Sequence, residues 1–91
     1  MNKTDLVQAV SGAVDMPQKA VERALNAMLV TISEAMENGE AVTIPGFGTF
    51  SRKHRGARRG RNPQTGEEMD IPACDVPAFK PGKRLRDAVN A

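Results

Sequence analysis

Tryptophan and tyrosine are absent from this chain of 91 residues, cysteine and histidine occur once each, and the aromatic rings are limited to Phe47, Phe50 and Phe79. A single Cys74 closes no internal disulfide, which excludes a disulfide scaffold and suits a reducing compartment. One histidine and one cysteine do not complete a tetrahedral metal site, so no metal or other cofactor is expected. No run approaches the about 18 apolar residues of a membrane span, and the first dozen residues have neither a basic leader nor an apolar signal core. A soluble, intracellular protein without a membrane partner is the expectation. The apolar fraction is 40%, yet 12 of those residues are alanine. A chain this short makes one domain, and a core this thin predicts that a second copy supplies part of the burial.

Net charge is only +2, but its sign is divided along the chain. Residues 1–51 carry three Lys/Arg against six Asp/Glu, a balance of −3, whereas residues 52–91 carry ten against five, a balance of +5. Six of those ten cations lie between Arg52 and Arg61, beside His54. Clustered fixed cations displace the counterions condensed on phosphates, so the asymmetry points to a polyanion; the plain alternative is a solvated charge run.

Asn2 and Asp5 form a capping pair ahead of Leu6, Val7, Val10, Ala13 and Val14, which predicts a helix over 3–14. Pro17 opens a second periodic segment, 18–38, that stops at Asn38-Gly39. Its apolar arc of roughly 200° exceeds the about 100° needed to face one neighbour, so two packing partners are expected. Val42 and Ile44 mark a short strand ending at Pro45-Gly46. Asn62-Pro63-Gln64-Thr65-Gly66 has the strongest turn chemistry and reads as a hairpin tip, and Pro81-Gly82 leads into a last short helix.

Placing Arg61 opposite Glu67 across a five-residue tip puts Lys53, Arg55, Arg59, Arg61, Met69 and Ile71 on one face of the hairpin, with Glu68 and Asp70 on the other beside Arg52 and Arg58. In that register His54 faces Cys74. About ten residues per strand at roughly 3.3 Å each give an arm near 30 Å long, enough to reach around a duplex. Neither strand is apolar enough to pack on a core, and an isolated two-stranded hairpin is marginal in water, so the arm is expected to be mobile until it meets its ligand. A cationic ribbon suits a minor groove, where width counts for more than base identity. Pro63 at the tip is a turn former by default and an apolar wedge by hypothesis.

His54 and Cys74 on a solvated ribbon have no pocket, orienting group or oxyanion site, so no catalytic residue is assigned and an enzyme is not expected. A module for single strands would interleave aromatics with its cations, and Ser51 to Phe79 holds none beyond His54. Duplex DNA is favoured, with structured RNA as a secondary partner.

Three segments carry a resemblance. Pro45-Gly46-Phe47-Gly48-Thr49-Phe50, Gly60-Arg61-Asn62-Pro63-Gln64-Thr65-Gly66-Glu67 and Val76-Pro77-Ala78-Phe79-Lys80-Pro81-Gly82-Lys83 resemble the bacterial HU and integration host factor family of histone-like proteins, as does the opening Met1-Asn2-Lys3-Thr4. The resemblance implies an α+β fold: an intertwined dimer with a helical base (1–39), a β-sheet saddle (40–51 and 76–81), a long β-hairpin arm (52–75) and a C-terminal helix (82–91). It implies that Phe47, Phe50 and Phe79 form a core between subunits. Arg55, Arg58 and Arg61 fall on the family's arm cations, Asn62 and Pro63 on its tip, and Lys3, Lys80, Lys83 and Arg86 on flanking phosphate contacts. Gly46 would let backbone lie close to phosphate, and Arg52, Lys53 and Arg59 complete the basic stretch as further candidates. Insertion of an apolar ring between base steps bends DNA, a mechanism known from the integration host factor and HU group itself, and Pro63 would be that ring here. The three-residue spacing of Arg55, Arg58 and Arg61 fits a strand's period of two poorly, so either a bulge interrupts the arm or the register differs.

The implied function is architectural: bending and wrapping duplex DNA, above all bent, nicked or distorted DNA, with little sequence preference, in the cytoplasm at the nucleoid. Phe79 to Lys83, followed by Leu85-Arg86-Asp87, is closer to an integration host factor subunit, which would read sites through DNA shape as part of a heterodimer with a paralogous subunit. The amino terminus is closer to HU, which favours a homodimer. Pro17 stands where a serine cap is common, so the second helix is expected to start with a weaker cap.

Overall fold

A computed structural model describes residues 1–90. Its contacts divide it into two compact units, Met1–Glu34 and the rest of the described chain from Ala35.

In the first unit, helix α1 spans Lys3–Val14. Asn2 Oδ1 accepts from the Asp5 N–H at 2.9 Å and the Asp5 carboxylate accepts from the Asn2 N–H at 3.2 Å, so the predicted pair forms a reciprocal capping box. The helix ends where Asp15 turns left-handed at φ 54°. Helix α2, Gln18–Glu37, opens with the Pro17 carbonyl accepting from the Ala20 and Val21 N–H groups at 3.0 and 3.1 Å. Val7 and Val21 are the only buried apolar side chains among the described residues. They line an open apolar cavity of about 410 Å³ together with Leu6, Val10, Leu25 and Met28.

In the second unit α2 ends as the sequence predicts. Gly39, at φ +78°, donates to Met36 C=O, and Glu40 donates to Ala35 C=O. Strands β1 (Val42–Ile44), β2 (Gly48–Arg55) and β5 (Cys74–Pro81) make an antiparallel sheet in the order β1-β2-β5, and β3 (Arg58–Arg61) pairs with β4 (Glu68–Ile71) as a separate ribbon. Helix α3 covers Lys83–Val89. Phe50 faces Phe79 across β2 and β5 with ring centroids 4.8 Å apart, and Phe47 approaches Phe79 at 5.4 Å. Phe79 lies over Gly48, which is buried; a Cβ there would stand 2.5 Å from the ring.

The register corrects the sequence reading by one residue. Arg61 faces Glu68, not Glu67, and the same offset continues down β2 and β5, so His54 faces Asp75 and Cys74 faces Arg55. The cause lies at the tip. Asn62 N–H donates to Glu67 C=O at 2.9 Å, which makes these two a closing pair and leaves a four-residue loop of Pro63 to Gly66. A bulge is not what reconciles the arginine spacing either. Gly56 and Ala57 separate β2 from β3, and Pro72 and Ala73 separate β4 from β5, two residues against two with the register unchanged. Pro72 has no N–H for the ladder, so pairing lapses there and the two halves of the arm need not share one pleat.

Candidate nucleic-acid interface

Alternation along the distal ribbon sets two unlike faces. Arg58 opposite Ile71 and Gly60 opposite Met69 form one; Arg59 opposite Asp70 and Arg61 opposite Glu68 form the other. This reverses the expected grouping: Arg59 and Arg61 share a face with the two carboxylates, and Arg58 shares one with Met69 and Ile71. Arg59 is held by both acids, Nη2 at 3.6 Å from Glu68 Oε2 and Nε at 3.4 Å from Asp70 Oδ1. Arg58 and Arg61 have no carboxylate within ion-pair distance among the described residues. The Arg58 face is flattened at Gly60, over which the Ile71 side chain folds; an added Cβ would lie 2.6 Å from Ile71 Cδ1.

At the tip the Asn62 side chain works for the turn. Its Oδ1 accepts from Gln64 N–H at 2.9 Å and its C=O accepts from Gly66 N–H at 2.7 Å, with Gly66 at φ +72°. Thr65 Oγ1 accepts from Glu67 N–H at 3.3 Å. These bonds hold Pro63 exposed at the apex.

At the root of the arm, Lys53 opposite Val76 and Arg55 opposite Cys74 occupy one face, and Arg52 opposite Pro77 and His54 opposite Asp75 the other. Lys53 and Arg55 carry no ion pair among the described residues, whereas Arg52 and His54 both engage Asp75. On the body, Lys80 faces Thr49 across the ladder, and Lys83 and Arg86 lie on α3. Gly82 N–H donates to Phe47 C=O at 2.8 Å, which fixes the start of α3 beside the Pro45–Gly48 turn. Gly46 there has φ +81°, and a Cβ on it would meet Arg84 Cδ at 3.3 Å. Arg84 is a cation that the sequence reading did not single out; its signal was a third basic residue in Lys83-Arg84-Leu85-Arg86. Lys3, at the start of α1, belongs to the other unit. Among the described residues, no three His, Cys, Asp or Glu side chains converge as a metal site would require, and no helix is long and apolar enough to cross a membrane.

The sequence model of the family described as bacterial DNA-binding protein matches residues 1–90. DNA-binding protein HU 1 of Bacillus subtilis is 52% identical over 89 residues, 98% of this chain and 97% of that protein. DNA-binding protein HU of Geobacillus stearothermophilus is 53% identical, with 98% and 99% covered. Among solved structures, an Anabaena HU–DNA cocrystal structure superposes with a TM-score of 0.91 at 48% identity, covering 98% of this chain and 97% of that one. HU from Thermotoga maritima gives 0.71 at 34% identity, with 98% of each chain covered. Half of all positions are thus shared along nearly the entire length, the fold is common to both, and the chain belongs to the HU family of bacterial DNA-binding proteins.

Proposed function

We propose that this chain is an architectural DNA-binding protein that acts as a homodimer, grips the minor groove with its arms and bends the duplex with little regard to sequence. The observation that carries this reading is the sorting of charge on the distal arm. Glu68 and Asp70 are gathered with Arg59 on one face, which leaves no acid among the paired positions Arg58, Gly60, Met69 and Ile71 of the other; Glu67 lies beyond them, at the closing pair of the tip. A groove walled by phosphates accepts the acid-free face and repels the other. Arg61 is on the face of the acids but ends the ribbon beside the tip, and it adds a cation, as do Lys53 and Arg55 at the root, with no carboxylate partner among the described residues. Lys3, Lys80, Lys83, Arg86 and the backbone at Gly46 would take flanking phosphates. Pro63, exposed at the apex of a turn that Asn62 braces, is the ring that would enter between base pairs.

Burial supports the dimer. Phe47 and Phe79 remain 45% and 40% exposed, and Met28, Leu29 and Val30 on α2 about half exposed. A second copy would cover such surfaces, with residues 1–39 as helical base, 40–51 and 76–81 as saddle, 52–75 as arm and 82–91 as terminal helix. Such a protein would reside at the nucleoid.

The test is a binding series on intact, nicked and pre-bent duplexes at two salt concentrations, with sedimentation to fix the oligomeric state. Tighter binding to nicked or bent duplex than to intact duplex, a steep loss with salt and a dimeric sedimentation coefficient are expected. A monomer, or equal affinity for all three duplexes, would overturn the reading.

A further inference from the structure

The cations at the root of the arm are of two kinds. Lys53 and Arg55 have no carboxylate partner among the described residues, whereas the Arg52 guanidinium is engaged on two sides. Its Nη1 donates to the Glu37 carbonyl at 2.8 Å, and its Nε stands 3.7 Å from Asp75 Oδ2. The second Asp75 oxygen, Oδ1, lies 2.8 Å from His54 Nδ1. Glu37 is the last residue of α2, and a helix leaves its final carbonyls without an intrahelical partner. Arg52 supplies a donor to one of them and brings positive charge to the negative end of the helix. It runs along the corner between α2 and β1: a Cβ on Gly39, which turns at φ +78°, would stand 3.4 Å from Arg52 Nη2.

We infer that Arg52 is a positioning residue and not a phosphate contact: with Asp75 it straps the paired root of β2 and β5 to the end of α2 and so sets the direction in which the arm leaves the sheet. Nη1 and Nε are committed to the Glu37 carbonyl and Asp75, so a phosphate that approached those donors would break the strap, and only Nη2, beside Gly39, is left outside it. The fork of the guanidinium is what permits two acceptors at once, and a lysine ammonium, a single point on a flexible stem, does not reproduce it. Asp75 fits the same role. A carboxylate at the root of a DNA-binding arm repels phosphates, a cost offset if it orients the arm, because a segment already held in its bound direction loses less freedom on binding. His54 holds the carboxylate from its other side.

This inference rests on the DNA-wrapping reading above, so the experiment separates the two. Arg52→Lys and Asp75→Asn are compared with the parent in three measurements: amide hydrogen exchange of the free protein at residues 52–55 and 74–76, the bend of an end-labelled duplex by energy transfer, and the slope of log K against log salt. The strap predicts exchange at the root about fivefold faster in both variants, the scale of one lost hydrogen bond. Both variants bend the duplex less, Arg52→Lys leaves the salt slope unchanged, and Asp75→Asn binds more tightly while bending less. Parental exchange and parental bend in Arg52→Lys, together with a slope about one unit flatter in Arg52→Ala, would make Arg52 a phosphate contact and overturn the strap. A parent that ignores duplex DNA refutes the DNA reading, and the exchange data on the free protein still decide the strap.

Discussion

Gly48→Ala tests the packing of the second unit with a single methyl group. The added Cβ would lie 2.5 and 2.6 Å from Phe79 Cζ and Cε1 and 2.7 Å from the Lys80 carbonyl oxygen. Carbon atoms in contact prefer about 3.5–4.0 Å, so the overlap is about 1 Å. Neither neighbour yields easily. The Phe79 ring is in contact with the Phe47 and Phe50 rings, and the Lys80 carbonyl belongs to the backbone of β5, opposite Thr49. Inserting a methylene into a well-packed site costs about 1–3 kcal/mol, and a clash with paired backbone belongs at the upper end, about 3 kcal/mol. For a domain of this size that lowers the melting temperature by roughly 12–24 °C. Two controls carry the same Gly→Ala change. Gly12 in α1 has nothing within 4 Å of its Cβ position, so helix propensity alone acts and the variant gains about 1 kcal/mol. Gly60→Ala meets the end of the Ile71 side chain, which can rotate, and should shift stability by less than about 1 kcal/mol. All are melted at one protomer concentration, because the midpoint of a dimer depends on it. A Gly48→Ala protein that melts within about 3 °C of the parent would refute the account of Phe79 as the keystone of this cluster.

Arg58→Ala and Arg61→Ala should each flatten the dependence of log K on log salt by about one unit, whereas Arg59→Ala should leave the slope nearly unchanged and speed amide exchange along β3 and β4; equal slopes for all three would mean that pairing with Glu68 and Asp70 does not withhold Arg59 from DNA. Pro63→Ala should reduce the bend read by energy transfer more than it reduces affinity for an intact duplex, and an unchanged bend removes the ring from the groove. Phe79→Ala should cost about 3–5 kcal/mol if a partner completes the burial of the ring, and clearly less if the ring stays as exposed as it is in a single chain. Chemical denaturation at several protein concentrations distinguishes the two.

What the sequence made legible were the features written in side chains close along the chain. The Asn2–Asp5 capping box, the Asn38-Gly39 stop and the Pro63–Gly66 turn each combine a special backbone angle or an orphan N–H with the residue that satisfies it, all within a few positions. The register failed by one because it hangs on a backbone bond, Asn62 N–H to Glu67 C=O, that no side chain announces. Because a strand alternates every residue, that single step moved Arg59 and Arg61 onto the face of the acids and reversed the grouping of the whole ribbon. The bond from Arg52 to the Glu37 carbonyl was hidden for a similar reason: its acceptor is backbone, 15 residues away. The three-residue spacing of the arginines reflects no bulge: β2 and β5 give way to β3 and β4 across two unpaired residues on each strand, Gly56-Ala57 and Pro72-Ala73, and the register is offset by one from that expected.

The acids of the arm raise a question of purpose, since Glu68 and Asp70 oppose the binding proposed for the ribbon they help to build. A two-stranded ribbon without a core is marginal in water, and cross-strand pairs of opposite charge contribute about 0.2–1 kcal/mol each, with exposed pairs at the low end. Placing Glu68 and Asp70 on Arg59's face lets them hold the strands in register while Arg58, on the opposite face across from Ile71, stays open to phosphate. Replacing them together, Glu68→Gln with Asp70→Asn, adds two units of net charge without changing size. If the acids serve the ribbon, affinity for intact duplex rises at low salt while exchange of the β3 and β4 amides in the free protein accelerates by several-fold and the bend in the complex becomes less uniform. If exchange and bend stay at parental values and affinity alone increases, the carboxylates contribute nothing to the arm's architecture, and the argument that one face is devoted to its cohesion is wrong.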